Sequence, residues 1–265
     1  MATTATPSTT TYAALRALVP WLVPLVLLVV WQALSAAGVI SARVLPAPLA
    51  VGQAAIDLAA GGRLLDDVWA STRRALLGFA IGGGIGFALG LLNGMLPLSA
   101  RLFDSSLQMA RTIPHLALIP LVILWFGIGE TSRVFLVALG VAFPIYLNTF
   151  HGVRTVDAGV LEMARSYGIG GWRLFTEVIL PGALPSILVG VRYALGIMWL
   201  TLIVAETIAA SSGIGYVTMN AREFLRTDVL VFGILLYAAL GKLADTLARG
   251  MERRMLAWHP SYVRS

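Results

Sequence analysis

The chain has 265 residues, of which 58% are hydrophobic and 12% are charged, and its mean hydropathy is +0.85. Soluble domains are about 45–50% apolar and about 25% charged, so this composition excludes a large soluble catalytic domain. The net charge of +6 comes from eighteen Arg and the single Lys242, without the dense basic run of a nucleic-acid-binding arm. The absence of cysteine excludes disulfides and Cys-based metal sites.

Long uncharged segments predict helices that span a membrane. The apolar runs are continuous, unlike the alternating stretches of about ten residues that form β-barrel strands, and a helical span needs about 20 residues. We predict a six-span, all-α membrane domain over residues 16–258, between a disordered N-terminus (1–15) and a short tail (259–265). The predicted spans cover about 18–39, 75–97, 112–130, 133–152, 183–206 and 229–248.

The first predicted span and the segment after it have different compositions. The 26 uncharged residues between Arg16 and Arg43 exceed the apolar core of about 7–15 residues in a secretory signal. We therefore expect an uncleaved helix. Residues 41–74 contain prolines, a Gly-Gly pair and three aspartates, which predict an aqueous excursion with one short amphipathic helix.

The second and third spans carry glycine and proline in informative positions. Glycine recurs every fourth residue in the second span, which places one face of the helix close to a neighbouring backbone. The third span is interrupted by Pro114 and Pro120, and breaks of this kind persist in a membrane where protein or water covers the exposed carbonyls. The helix-packing glycines are Gly78, Gly82, Gly86, Gly90 and Gly94.

The distribution of basic residues predicts the orientation. An even number of spans places both termini on one side, and assigning that side to the cytoplasm leaves twelve basic residues inside and seven outside. Because Lys and Arg are enriched in cytoplasmic loops, we expect both termini and the loop 154–181 to be cytoplasmic.

Residues 157–181 are predicted to fold as two short helices around a glycine turn. Asp157 is a plausible N-cap, glycines at 168, 170 and 171 break the first helix, and a second helix is predicted from Trp172 to Leu180. Pro181 is predicted to begin the next element. A small helical unit with an apolar side suits a groove on a partner protein.

This loop resembles the EAA motif of ABC-importer permeases. The family pattern is EAA, three residues, Gly, nine residues, then I-x-L-P, and here the matching residues are Glu162, Met163, Ala164, Gly168, Val178, Leu180 and Pro181. Met163 and Val178 depart from the pattern but keep its apolar character. The resemblance implies that this segment docks on an ATP-hydrolysing subunit.

Further segments narrow the resemblance to the aliphatic-sulfonate, taurine and nitrate permeases. They are LPAP (45–48), RTIPHLALIP (111–120), WFGIG (125–129), SSGIGY (211–216) and FLRTD (224–228). The resemblance implies a type I (MetI-like) permease fold in a bacterial inner membrane. It also implies a second copy or a related membrane chain, two ABC ATPase subunits and an extracytoplasmic binding protein. The implied solute is an alkanesulfonate or taurine, with nitrate or bicarbonate next and a pyrimidine precursor also open.

The sequence assigns nucleotide chemistry to a partner. Lys242 follows a glycine but is followed by Leu243, so the chain has no G-x-x-x-x-G-K-[ST] loop. We expect no cofactor bound by this chain, with ATP and Mg²⁺ held by the partner ATPase. His115 and His151 lack a second ligand at a metal-binding spacing, so no metal site is predicted.

Four charged residues are candidates for the solute pathway or its gates. Arg192 lies inside the fifth span and either attracts an anionic group or forms a structural pair. Glu206, at the end of that span, is a gate candidate or an interfacially solvated acid. Arg222 and Arg226 are four residues apart, so on a helix they would share a face at the outer mouth or form an ordinary solvated rim.

We call residues 157–181 the coupling segment, and two of them also have alternative interpretations. Glu162 either meets an arginine on the ATPase or caps its own helix, and Gly168 supplies a tight turn or a close approach to the partner.

Two other classes of protein compete with the importer. A secondary transporter or channel predicts an inverted repeat and ionisable groups for ion coupling, and a membrane-anchored interaction protein leaves the broken third span unexplained.

Overall fold

The computed structural model describes residues 9–208 and 210–259, and these residues form helices joined by short loops. The helices are α1 (Thr9–Ala36), α2 (Pro48–Ala60), α3 (Leu64–Met95), α4 (Pro97–Thr112), α5 (Ile119–Phe126), α6 (Glu130–Arg154), α7 (Ala158–Ser166), α8 (Gly171–Leu174), α9 (Leu180–Thr207), α10 (Ile214–Glu223) and α11 (Thr227–Met255). A 3₁₀ turn (His115–Leu118) precedes α5, and a π-helical turn (Phe175–Ile179) joins α8 to α9. The predicted all-α membrane fold is confirmed.

Four helices among the described residues are long and apolar enough to cross a membrane. They are α3, α6, α11 and the continuous helix Gly171–Thr207 that contains α8 and α9. A fifth candidate is a bent pair, and the apolar part of α1 (Trp21–Ala36) and α2 are shorter. The predicted spans at 133–152, 183–206 and 229–248 each fall within one of the four long helices, and the predicted span 75–97 extends two residues past the end of α3 at Met95.

Helix α6 lies at the centre of the packing, between α3 and α9. Val137, Val141 and Ile145 on α6 are buried together with Ala75 on α3 and Met198 on α9. This core fixes the relative positions of α3, α6 and α9.

All five glycines of the regular series on α3 lie against α6. A Cβ on each of them would approach an α6 atom closer than 3.0 Å, and at Gly82 and Gly86 the nearest atoms are the backbone oxygens of Ala138 and Ala142. Van der Waals contact between the two backbones is possible because these positions lack side chains.

The third predicted span is not one straight helix. Ser105–Thr112 and His115–Phe126 meet at a bend of 80°, and the break falls just before His115, at Pro114. Pro120 lies in the first turn of α5, where proline does not interrupt the helix. The predicted break at Pro120 is therefore wrong, and the span 112–130 is replaced by this bent pair.

Three other boundaries differ from the sequence prediction. The predicted excursion 41–74 contains the apolar α2, and α3 begins within it at Leu64. Helix α1 begins at Thr9, inside the segment that we expected to be disordered, and residues 1–8 and 260–265 lie outside the described residues. Pro181 lies in the first turn of α9, as predicted, but no break precedes it, because the chain is helical from Gly171 to Thr207.

Candidate functional site: a coupling segment and two charged clusters

The coupling segment begins with a capped helix. The carboxylate of Asp157 accepts a hydrogen bond from the backbone N–H of Val160 at 3.0 Å, which makes Asp157 the N-cap of α7 as predicted. Glu162 lies within α7, its side chain is exposed, and it has no hydrogen bond or ion pair to another side chain of the described chain. The structure therefore assigns helix capping to Asp157 and leaves the Glu162 carboxylate available at the surface.

Gly168 ends α7 in a left-handed conformation with φ +78°. The N–H of Gly168 donates to the carbonyl of Arg165 at 2.9 Å, and the N–H of Ile169 donates to the carbonyl of Ala164 at 3.0 Å, a pair of bonds that defines a Schellman C-cap. A Cβ at Gly168 would meet no described atom within 4 Å. Glycine is therefore required here by the backbone conformation and not by crowding within the chain.

Several large apolar side chains are exposed on the coupling segment. Met163 is 55% exposed, and Tyr167 and Trp172 are exposed on the same unit, whereas Ala164 is buried. Large apolar side chains exposed together mark interaction surfaces more often than isolated ones do.

The second half of the coupling segment is continuous with a membrane-spanning helix. Leu180 packs with the buried residues Val153 and Ile187, and a Cβ on Gly182 would meet the Val156 side chain at 3.2 Å. Val178, Leu180 and Pro181 are half-buried within this connection. Trp172 and the membrane-spanning part of α9 thus lie on one continuous helix, Gly171–Thr207.

A buried ionic group lies at the opposite end of α9. We call it the Arg74 cluster; its members are Arg74, Glu130, Glu206, Ser71 and Ser212. The guanidinium of Arg74 uses all five N–H donors. Nε donates to Glu130 at 2.7 Å, and Nη1 donates to Glu206 and to the Ser212 carbonyl at 2.6 and 2.8 Å. Nη2 donates to Glu130 at 2.6 Å and to the Ser212 hydroxyl at 2.7 Å. This saturation is what allows a guanidinium to be buried.

Glu206 is equally well satisfied. Its carboxylate accepts hydrogen bonds from the Ser71 hydroxyl, the Gly215 N–H and the Tyr237 hydroxyl at 2.8, 2.9 and 2.8 Å. Glu206 is 1% exposed, so the interpretation of an interfacially solvated acid is wrong.

The loop before α10 is held by the same region. The N–H of Gly213 donates to Asp67 at 2.7 Å, and the N–H of Ile214 donates to the Ser71 hydroxyl at 2.9 Å. The cluster therefore joins α3, α6, α9, α10 and α11. Arg74, Asp67 and Ser71 were not predicted as site residues, because in the sequence they mark only the polar region before a predicted span. The SSGIG segment is the one signal that could have pointed to them.

A second group, which we call the Arg192 cluster, consists of Arg192, Asp245, Glu252, Lys242 and Arg249. The Nε of Arg192 donates to Asp245 Oδ1 at 2.8 Å, and Nη1 lies 3.8 Å from Glu252 Oε2. The other carboxylate oxygen of Asp245 contacts Arg249 and lies 3.9 Å from the Lys242 ammonium. Arg192 also lines an open-sided cavity of about 440 Å³.

Arg222 and Arg226 do not share a helix face. Helix α10 ends at Glu223, and Leu225 takes a left-handed conformation with φ 53°, so the four-residue spacing does not run along a helix. Arg226 lies 3.6 Å from Asp228, whereas Arg222 is near Met219. The predicted common face is wrong.

The two histidines lie apart. His115 Nε2 is 3.0 Å from the Thr201 hydroxyl, which ties the bent pair to α9. His151 lies near the end of α6, beside Phe150. In the described part of the chain, no group of three or more His, Asp or Glu residues is placed to hold a metal ion.

Comparison with known proteins identifies the class. Residues 80–257 match the family described as the binding-protein-dependent transport system inner membrane component, and the chain belongs to this family. It is a multi-pass permease component of the inner membrane in an ABC importer, and the family implies ATPase and binding-protein partners.

Individual relatives are similar over nearly the whole chain. A permease of Escherichia coli named for aliphatic sulfonates transport, SsuC, is 59% identical over 92% of each chain. The taurine transport system permease protein TauC of Escherichia coli is 36% identical, covering 88% of this chain and 87% of TauC. A solved amino acid ABC transporter with histidines matches 74% of this chain and 96% of its own, with TM-score 0.62 and 18% identity, which supports the fold alone.

Proposed function

We propose that this permease imports small organic sulfonates. The observation that carries the proposal is the 59% identity to the permease named for aliphatic sulfonates, over 92% of both chains. The resemblance to the taurine permease is weaker, at 36% identity, so an alkanesulfonate is the first choice and taurine the second.

The coupling segment 157–181 is the proposed contact with the ATPase. Its support is the EAA-like pattern, the exposed Met163, Tyr167 and Trp172, and the helical continuity from Gly171 into α9. In this proposal the Glu162 carboxylate meets a basic group of the ATPase, and the two membrane chains of the complex are copies of this one.

The mechanism follows from this arrangement. ATP binding closes two partner ATPase subunits, which hold ATP and Mg²⁺, and the closure displaces the coupling segments. Because each segment is continuous with α9, the displacement tilts α9 and the helices packed on it, and the pathway changes from inward-open to outward-open. The solute arrives from an extracytoplasmic binding protein, and both termini of the chain lie in the cytoplasm.

Growth of a strain that lacks this gene tests the solute assignment. With propane-1-sulfonate as the only sulfur source, the deletion strain is expected not to grow, and a plasmid carrying the wild-type gene restores growth. Growth on sulfate is the control and stays normal. Full growth of the deletion strain on propane-1-sulfonate and taurine, with loss of growth on nitrate as nitrogen source, would identify nitrate as the solute and exclude the sulfonates.

A further inference from the structure

Arg192 lies on α9, within the continuous helix Gly171–Thr207 that is long and apolar enough to cross a membrane. It lies twelve residues after Leu180 and fifteen residues before Thr207, or about 18 and about 22 Å along the helix at about 1.5 Å per residue. Its side chain is 42% exposed on the surface of the single chain. A guanidinium exposed within a span faces water or protein and not lipid, so this face of α9 borders an aqueous path or a second membrane chain.

Most of the hydrogen-bonding capacity of Arg192 is unused. A guanidinium has five N–H donors, and only Nε makes a hydrogen bond with a described residue, to Asp245 Oδ1 at 2.8 Å. The 3.8 Å separation between Nη1 and Glu252 Oε2 is too long for a hydrogen bond. The remaining N–H groups are free to bind an anion.

Asp245 does not depend on Arg192 for neutralisation. Its Oδ1 faces Arg192, whereas its Oδ2 contacts Arg249 and lies 3.9 Å from Lys242. If Arg192 turns toward a bound anion, Asp245 keeps two cationic neighbours. The cluster can therefore release Arg192 without leaving the Asp245 carboxylate unpaired.

The cavity beside Arg192 combines a charged end with apolar walls. Its volume is about 440 Å³, and its lining includes Val189 and Tyr193 beside Arg192 and Asp245. Tyr193 is 67% exposed and Val189 is 40% exposed, so both present apolar surface. An anion with a short hydrocarbon tail can contact both the charged end and the apolar walls of this cavity, whereas nitrate has no tail to contact the walls.

We propose that the free N–H groups of Arg192 bind the sulfonate group of the solute during its passage, with Asp245 as the counter-ion that competes for the same guanidinium. Val189 and Tyr193 contact the alkyl tail. This inference rests on the proposed function and adds to it a site inside the membrane-spanning part, separate from the binding protein.

Calorimetric titration of the purified permease–ATPase complex tests the site. The complex is placed in nanodiscs of neutral lipid, without binding protein, and titrated with propane-1-sulfonate. We expect saturable binding by the wild type and a loss of about tenfold or more in affinity for Arg192→Gln, because charge-assisted hydrogen bonds are removed. Arg192→Lys keeps the charge but not the fork of donors, and an intermediate affinity is expected.

The Asp245→Asn variant separates binding from a structural role. Loss of the competing carboxylate frees Arg192, so Asp245→Asn is expected to bind propane-1-sulfonate several-fold more tightly. A purely structural ion pair predicts instead that Arg192→Gln and Asp245→Asn have the same effect. Arg101→Gln, which removes an exposed arginine on α4, is the matched control and leaves the affinity unchanged. Gel filtration and basal ATP hydrolysis report whether each variant is assembled.

Two further arms identify the ligand. Methanesulfonate is expected to bind more weakly than propane-1-sulfonate, and Tyr193→Ala is expected to reduce that difference. In discs that contain phosphatidylglycerol, the affinity for propane-1-sulfonate is expected to stay the same; its loss there would assign the site to a lipid headgroup and overturn the proposal.

The failures of the two proposals are distinguishable. Absence of saturable binding by the wild-type complex, or equal binding by wild type and Arg192→Gln, overturns the Arg192 site. Neither result changes the growth phenotype of the deletion strain on propane-1-sulfonate, which reports on the proposed function alone.

Discussion

Arg74 Nη1 lies 2.6 Å from Glu206 Oε1, and the two side chains are 3% and 0% exposed. The pair joins α3 to the end of α9 that is remote from the coupling segment, and Tyr237 extends the connection to α11. Buried hydrogen bonds therefore fix the ends of these three helices to one another.

Removal of one member of this pair is expected to destabilise the protein strongly. Arg74→Met leaves the Glu206 carboxylate buried without its cation, and such changes cost about 3–5 kcal/mol. The free energy of unfolding in mixed micelles measures the loss. Arg173→Met is the control, because Arg173 and Glu177 form an ion pair with 69% and 48% exposed side chains, and exposed pairs contribute about 0–1 kcal/mol. Equal losses of unfolding free energy in Arg74→Met and Arg173→Met would contradict a stabilising role for the buried pair.

The contact between α3 and α6 predicts opposite outcomes for two nearby glycines. At Gly82 a Cβ would collide with the backbone of Ala138, whereas at Gly84 it would meet nothing within 4 Å. Gly82→Ala is expected to lower the free energy of unfolding by about 1–3 kcal/mol through overpacking. Gly84→Ala is expected to be neutral or to stabilise the helix by up to about 1 kcal/mol. The same unfolding assay compares them, and a stable Gly82→Ala variant would exclude the close approach.

Gly168 and Gly170 provide a matched pair in the coupling segment. Gly168 has φ +78°, whereas Gly170 has φ −141°, which any residue adopts. Gly168→Ala strains the cap of α7 by about 1 kcal/mol, and co-purification with the ATPase is expected to fall by about fivefold. Gly170→Ala is expected to retain the ATPase. The ATPase-to-permease ratio after affinity purification measures how much ATPase each variant retains. Full retention of the ATPase by Gly168→Ala would show that docking does not depend on this turn.

Leu225 is an exposed leucine in a left-handed conformation. It has φ 53° and is 86% exposed, so its side chain gains little packing while its backbone is strained. Leu225→Gly is expected to raise the free energy of unfolding by about 0.5–1 kcal/mol. Phe224→Gly, at φ −93°, is expected to lower it by a similar amount. A loss of stability in both variants would refute the strain at Leu225.

Local sequence patterns predicted much of the fold and of the coupling segment. The glycine period on α3 predicted a face for close packing, but not that Ala138 and Ala142 on α6 occupy it. Asp157 was predicted as a cap because the signal lies within three residues of its partner. The break of the third span was placed correctly at Pro114 and incorrectly at Pro120, since proline is compatible with the first turn of a new helix.

The Arg74 cluster could not be predicted in the same way. Its members lie far apart along the chain, and Arg74 is buried only because all of its donors find partners on other helices and in the loop before α10. Hydropathy patterns record Arg74 as the end of a span and carry no information about those partners. Likewise, the left-handed backbone of Leu225, which separates Arg222 from Arg226, has no glycine to signal it.

ATP-driven uptake tests the central claim most directly. Proteoliposomes that contain this permease, its ATPase and the binding protein are loaded with ATP, and the accumulation of labelled propane-1-sulfonate is measured. The account predicts accumulation that stops when ATP or the ATPase is omitted and that falls in Gly168→Ala but not in Gly170→Ala. Accumulation at an unchanged rate without the ATPase would contradict it.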